Sequence, residues 1–235
     1  MAENLEFEEK KLFDDIKSNQ KYVDFVYDGI VNYDAYSKAD VKILYILKES
    51  INTDGSVHTH GENLKDFLIS GGEGKINARS EEGVTRDVEA IEAANHGKLL
   101  TYEELNGINI SRRKRALNKV AWFNLSKESN QISTNSTDET YTTEEVKNNA
   151  NIYKKIFKLY HPDIIVCGGT FKNFCLIYPE LISKEKQHGY VKLNIDGKLT
   201  PVLKLCHPSY GRKKLMYEQR TAAIKNIYKI TRGAN

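Results

Sequence analysis

Residues 41–50, VKILYILKES, join an apolar, β-prone run to a polar cluster. Residues 41–47 have the composition of a strand that is covered on both faces, as strands of parallel sheets are. The run passes directly into Lys48, Glu49 and Ser50, so these polar side chains would lie at the carboxyl end of the strand. The same arrangement recurs along the chain, and its recurrence decides the fold class.

Three more apolar runs end in polar or glycine-containing clusters. The clusters are Asn124-Leu125-Ser126, Gly168-Gly169-Thr170 and His207-Pro208-Ser209. Helical periodicity separates the runs, and strands separated by helices pair in parallel through right-handed crossovers. We therefore predict a three-layer α/β/α sandwich with a central four-stranded parallel sheet. The predicted strands are residues 41–47, 119–124, 163–167 and 201–206.

The carboxyl ends of parallel strands face one crevice, where ligands of such folds bind. The four clusters should therefore form a single site. Around them we expect one domain over residues 1–235, with an N-terminal helical segment at about residues 5–36. Periodicity weakens over residues 55–107, which we interpret as an insertion carrying helices near residues 64–69 and 84–94.

Composition limits the classes of function. The net charge is only +3, so basic residues would contact nucleic acid through local clusters such as residues 112–115 and 212–214, which can also be solvated helix faces. No apolar run approaches the roughly 20 residues of a membrane span, and no signal peptide is evident. The three cysteines form no C-x-x-C pair. We expect a cytoplasmic monomer without a metal or cofactor.

The four clusters, in this order, resemble the uracil-DNA glycosylase superfamily over about residues 41–230, apart from the insertion. His207-Pro208-Ser209 reproduces the His-Pro-Ser motif of the family, and Asn124 matches its base-reading asparagine. Glu49 falls where the family places its water-activating acid. The turn at Gly168-Gly169 matches the glycine turn after the third strand of the family.

The resemblance implies DNA as the partner and a pyrimidine base as the group removed. It implies that Glu49 and His207 are catalytic, and that Phe67 stacks on the base, with Trp122 as the alternative. The implied base-binding residues are Asn124, Ile51, Phe67 and Lys48. The implied DNA-binding residues are Ser50, Gly169, Thr170, Ser209, Tyr210, Arg212, Lys213 and Lys214.

Departures from the family pattern indicate a divergent member. Glu49 is longer than the usual aspartate, and Ile51 stands where the family often has a tyrosine that excludes 5-substituents. The pocket can thus suit uracil in DNA repair, or a bulky 5-modified pyrimidine such as glucosylated hydroxymethylcytosine in defence against phage. A catalytically inactive nucleic-acid-binding relative is the alternative. The preference for single- or double-stranded DNA stays open.

Overall fold

The computed structural model describes residues 2–22, 24–48, 50–51, 64–72, 79–130, 139–184, 189–210, 220–222 and 224–225. Its α-helices are α1 Ala2–Asn19, α2 Tyr33–Ser37, α3 Leu64–Ile69, α4 Arg79–Asn95, α5 Tyr102–Leu105, α6 Ile110–Leu117, α7 Glu139–Tyr160 and α8 Phe171–Ile177. Two 3-10 helices span Pro179–Lys184 and Pro208–Tyr210. The strands are β1 Gly29–Ile30, β2 Ile43–Leu47, β3 Ser50–Ile51, β4 Val120–Asn124, β5 Ser129–Asn130, β6 Ile164–Gly168, β7 Tyr190–Ile195 and β8 Lys198–Leu205. Residues 220–222 and 224–225 are also helical.

The main sheet is mixed and has six strands in the order β1-β4-β2-β6-β8-β7. Its middle strands β4, β2, β6 and β8 pair in parallel with their neighbours. The short strand β1 joins one edge and β7 the other, both antiparallel. The four predicted parallel strands are therefore present, and the sheet is larger than predicted because an antiparallel strand lies at each edge.

Strand β7 escaped prediction because it alternates buried and exposed residues, unlike the continuously apolar middle strands. It is joined to β8 by a tight turn at Asp196 and Gly197, whose φ angles are +52° and +86°. Positive φ at both central residues is typical of a type I′ hairpin, and Asp-Gly is a strong sequence signal for that turn. The signal for this hairpin was therefore present in the sequence.

Helices cover both faces of the sheet. Side chains alternate along β2, so Leu44 and Ile46 pack into one hydrophobic core, while Ile43, Tyr45 and Leu47 pack into another. We call these sides the α7 face, which α1, α7 and α8 cover, and the α4 face, which α3, α4 and α6 cover. Burial on both sides explains why the sequence of β2 is continuously apolar.

Helix predictions have mixed outcomes. The helices expected near residues 64–69 and 84–94 are confirmed as α3 and α4. Of the described residues in the N-terminal segment expected to be helical at about residues 5–36, those of α1, which ends at Asn19, and of α2 are helical. Phe25 and Ile30 are buried in an extended segment and in β1 instead, because this segment pairs with the edge of the sheet. Within the described residues, no helix has both the length and the apolar character that crossing a membrane requires.

Gly83 of α4 lies against the turn that follows β8. A Cβ atom added at Gly83 would lie only 2.2 Å from the backbone oxygen of Pro208. Replacing a helical glycine by alanine ordinarily stabilises a protein by about 1 kcal/mol. We expect Gly83→Ala instead to lower the free energy of unfolding by about 1–3 kcal/mol, because neither backbone can yield easily. Urea denaturation of this variant, beside Ser80→Ala in the same helix, measures the effect, and a stabilised Gly83→Ala would contradict the contact.

Candidate functional site

The carboxyl ends of the parallel strands lie side by side at one edge of the sheet. Leu47 at the end of β2 is in register with Asn124 at the end of β4, and Gly168 of β6 is in register with Leu205 of β8. Beyond β2, the backbone nitrogen of Ser126 donates a hydrogen bond to the Lys48 oxygen. The clusters that follow these strands are thus brought to one edge.

Asn124 is the most unusual residue at this edge. It is 1% exposed, and neither its Oδ1 nor its Nδ2 has a hydrogen-bond partner within the part of the chain that the structure describes. Alternation along β4 directs its side chain to the α4 face, which Val120 and Trp122 also occupy. A buried amide normally uses both its donor and its acceptor, so this group is suited to a partner that arrives with a ligand.

A buried ion pair fixes the backbone of Asn124. Asp28 accepts a hydrogen bond from the backbone nitrogen of Asn124 at 2.6 Å, and Lys127 Nζ donates to the backbone oxygen of Asn124 at the same distance. Asp28 and Lys127 are 2.7 Å apart and fully buried. Burial raises the pKa of Asp28 and lowers the pKa of Lys127, while their mutual attraction opposes both shifts. The pair binds the backbone of Asn124, while the side-chain amide has no partner among the described residues.

His207 is half-buried at the other end of the row. Its Nδ1 accepts a hydrogen bond from the Ser209 backbone nitrogen and lies 2.8 Å from Ser209 Oγ. Because a backbone N–H can only donate, Nδ1 is unprotonated and the neutral ring carries its proton on Nε2. Burial, followed by the charge of Arg220, lowers the pKa of His207, and Glu81 opposes the shift. His207 is therefore a neutral donor near pH 7.

The segment before His207 is held by a second buried cluster. Arg220 donates through Nε to Asp87 at 2.8 Å, through Nη2 to Asp87 and Tyr45, and through Nη1 to the Cys206 oxygen at 2.9 Å. The Tyr45 hydroxyl donates to the same carboxylate. Burial alone would lower the pKa of Arg220, but Asp87 more than offsets it and raises that pKa. Sequence reasoning missed both buried clusters.

The glycine turn after β6 approaches His207 closely. A Cβ atom added at Gly169 would lie 3.3 Å from the backbone nitrogen of His207, and the φ of +78° at Gly169 also favours glycine there. Thr170 is buried, and its hydroxyl donates to the Ile46 oxygen at 2.9 Å. The phosphate contact predicted for Thr170 is therefore replaced by an internal bond, whereas Gly169 is exposed.

The two aromatic candidates differ in position. Trp122 is 5% exposed and stacks on Tyr45 with ring centroids 6.5 Å apart, so it is a core residue. Phe67 of α3 is half-buried and packs against the core of the α4 face. Tyr210 is 66% exposed and meets the His207 ring edge-on.

Several predicted residues are described incompletely. Glu49, Arg212, Lys213 and Lys214 lie outside the described residues. Ser50 and Ile51 are described by their backbone, which pairs in parallel with Ser129 and Asn130. Of the predicted residues, the structure brings Lys48, Asn124, Gly169 and His207 to the same edge of the sheet.

Within the described ranges, no three or more His, Cys, Asp or Glu side chains are grouped so that they could hold a metal ion. No protein-family profile matches the sequence, and no curated protein is significantly similar to it. The chemical interpretation therefore depends on the geometry of the site.

The variant Lys127→Met tests how much the ion pair with Lys127 offsets the burial of Asp28. We expect Lys127→Met to lower the free energy of unfolding by about 3–5 kcal/mol at pH 7, because it leaves a buried carboxylate unpaired. The pKa of Asp28 is already above its unfolded value of about 3.9 and would rise further. Between these values the native state binds more protons, so stability falls as pH rises.

The deficit of Lys127→Met relative to the natural protein should therefore shrink as the pH is lowered from 7 towards 5. The double variant Asp28→Asn/Lys127→Met is the control, because it removes both charges and should be less destabilised than Lys127→Met. Urea denaturation at several pH values measures these differences. A pH-independent deficit in Lys127→Met would argue against an ionised Asp28.

Proposed function

We propose that the protein is a DNA glycosylase related to the uracil-DNA glycosylases, with their three-layer α/β/α fold. It hydrolyses the N-glycosidic bond of a flipped pyrimidine, either uracil or a bulky 5-modified pyrimidine, and leaves an abasic site. The observation that carries the proposal is the buried amide of Asn124, which has no hydrogen-bond partner among the described residues and lies in a row of strand ends that also holds His207.

An amide with both groups unused matches the edge of a pyrimidine. Uracil presents a carbonyl oxygen, an acceptor, beside an N–H donor. Cytosine presents an amino group, a donor, beside an unprotonated ring nitrogen, an acceptor. Leaving a buried polar group unsatisfied costs about 1–3 kcal/mol, which a base would relieve on binding. Asn124 can turn its amide either way, so it supports pyrimidine binding without choosing between the two bases.

The spacing of the strands supports the same substrate. Strands β2 and β6 separate β4 from β8, so Asn124 and the end of β8 are three strand spacings apart. At about 4.8 Å for each spacing, their backbones are roughly 14 Å apart. The two backbones are thus far enough apart for one nucleotide base with its sugar to lie between the groups that they carry.

The proposed reaction begins when the nucleotide is flipped from the duplex. The bond between the base nitrogen and the sugar C1′ breaks, and its electron pair leaves with the base. His207 donates a hydrogen bond from Nε2 to the base O2 and stabilises the developing anion. Glu49 stabilises the cationic sugar and orients a water molecule. The water oxygen bonds to C1′, its proton passes to Glu49, and the departing base is finally protonated by solvent.

A neutral His207 fits this role. In the proposed reaction the imidazole donates a hydrogen bond to the base and does not transfer its proton. The acceptor bond at Nδ1 places that proton on Nε2. Gly169 and Ser209 adjoin this imidazole, but the Gly169 N–H already donates to the Leu205 oxygen at 2.7 Å and the Ser209 N–H donates to Nδ1. Gly169 therefore has no backbone donor left for a phosphate of the flipped nucleotide.

Base release tests the proposal directly. Oligonucleotide duplexes carrying uracil, cytosine or glucosylated hydroxymethylcytosine are incubated with the protein, and abasic sites are cleaved by alkali. We expect His207→Ala and Glu49→Ala each to slow release by at least about 10²-fold, the effect of losing one positioned polar group. His96→Ala is the matched control, because His96 is exposed and contacts Asp40, which precedes β2 at the end of the strand opposite the candidate site. DNA binding without base release from any duplex would favour the inactive relative.

The pH profile tests the state of His207. Burial and the charge of Arg220 lower the pKa of His207, so we expect the rate to be maintained at neutral pH. The rate should fall at lower pH, because protonation of Nδ1 breaks the bond from the Ser209 backbone N–H that orients the ring. The double variant Asp87→Asn/Arg220→Gln removes the positive charge that lowers this pKa. Its acid limb should therefore move to higher pH.

Tyr45→Phe is the control for that shift, because it removes a hydrogen bond of the same cluster and leaves both charges. Single-turnover rates between pH 5 and 8 measure the limb in each variant. If the acid limb lies at the same pH in all three proteins, the charge of Arg220 does not lower the pKa of His207.

A further inference from the structure

Arg113 of α6 is a buried cation with two donor groups that bind no acceptor among the described residues. It is 7% exposed, yet its Nε and Nη1 groups have no hydrogen-bond partners within the described part of the chain. Its neighbours behave differently, since Arg112 and Arg115 both pair with Glu89 of α4. The basic run in the sequence is therefore not one solvated face, because Arg113 points inward.

Burial removes the positively charged guanidinium group of Arg113 from water. Buried charges are normally paired, and leaving one unpaired is among the costliest features of a folded protein. An oxygen acceptor supplied by a bound ligand would remove this cost.

The position of Arg113 connects it with the proposed base pocket. A Cβ atom added at Gly72 would lie 3.0 Å from Phe67 Cζ and 3.6 Å from Arg113 Nη1, so these two atoms lie within about 7 Å of each other. Phe67 packs on the α4 face of the sheet, to which the side chain of Asn124 is also directed. Arg113 thus lies beside the ring that is proposed to stack on the flipped base.

We propose that Arg113 is a specificity residue that donates hydrogen bonds to oxygen atoms on a substituent of the flipped pyrimidine. This inference rests on the proposed glycosylase function and deepens it. Nε and Nη1 direct their hydrogens differently, so together they suit a substituent with several oxygens better than a single acceptor. A hydroxylated 5-substituent, such as a sugar linked through a hydroxymethyl group, has that chemistry. Phosphate oxygens are the other source of acceptors, but the burial of Arg113 beside Phe67 favours the base.

The test uses duplexes that are identical except for cytosine, hydroxymethylcytosine or glucosylated hydroxymethylcytosine at one position. Base release is measured for each duplex. Affinity is measured for a second set of duplexes, in which 2′-fluoroarabinose replaces the sugar of the target nucleotide and prevents cleavage. Arg113→Met keeps much of the side-chain volume and removes the charge. Arg115→Met is the matched control, because Arg115 is exposed and adjoins the same helix turn.

We expect the natural protein to prefer the glucosylated duplex. Arg113→Met should lose at least about tenfold in affinity and release rate on that duplex, the scale of one hydrogen bond to a charged group. Its affinity for the cytosine duplex should change less than about threefold, and Arg115→Met should match the natural protein. If Arg113→Met does not fold, as judged by circular dichroism, Arg113→Lys and Arg113→Gln take its place.

Equal losses on all three duplexes, with a shallower salt dependence, would assign Arg113 to a phosphate and overturn the inference. No loss on any duplex would also overturn it. If the natural protein releases no base at all, the glycosylase function fails separately, and the affinities for the cleavage-resistant duplexes still decide whether Arg113 reads the substituent.

Discussion

The ion pair between Arg220 and Asp87 is the interaction on which the candidate site most depends. It joins a C-terminal helical segment to α4, binds the hydroxyl of Tyr45 in the middle of the sheet, and fixes the oxygen of Cys206. One guanidinium group thereby determines where the chain leaves β8. After burial, its charge is the second cause that lowers the pKa of His207, so a structural contact has an electrostatic effect on the chemistry proposed for His207.

A second buried pair performs the corresponding task at β4. Asp28 and Lys127 bind the main chain of Asn124 on both sides, so the position of its amide does not depend on contacts made by that amide. Lys127 also lies over the ring of Phe123, with its Nζ 3.4 Å from the ring centroid. The two ends of the row of strands are thus positioned by ion pairs, while the groups that would meet a ligand stay available.

The sequence predicted those features that follow from apolar periodicity. The four middle strands and helices such as α3 and α4 each produce a local pattern, and the polar residues after the strands follow from that pattern. The buried ion pairs could not be predicted in the same way, because the partners Asp28 and Lys127 are 99 residues apart and Asp87 and Arg220 are 133 residues apart. A charged residue in a polar helix gives no local sign of burial. The β7–β8 hairpin differs, since its Asp-Gly signal was present but overlooked.

The close contact between Gly83 and Pro208 has a consequence for how this protein can diversify. Helix α4 rests directly on the turn that carries His207, so the position of the turn is set by α4 and the sheet. The chain between β3 and α4 can then gain, lose or exchange residues without displacing the imidazole. A lineage can therefore remodel that segment while the turn that carries His207 is inherited unchanged.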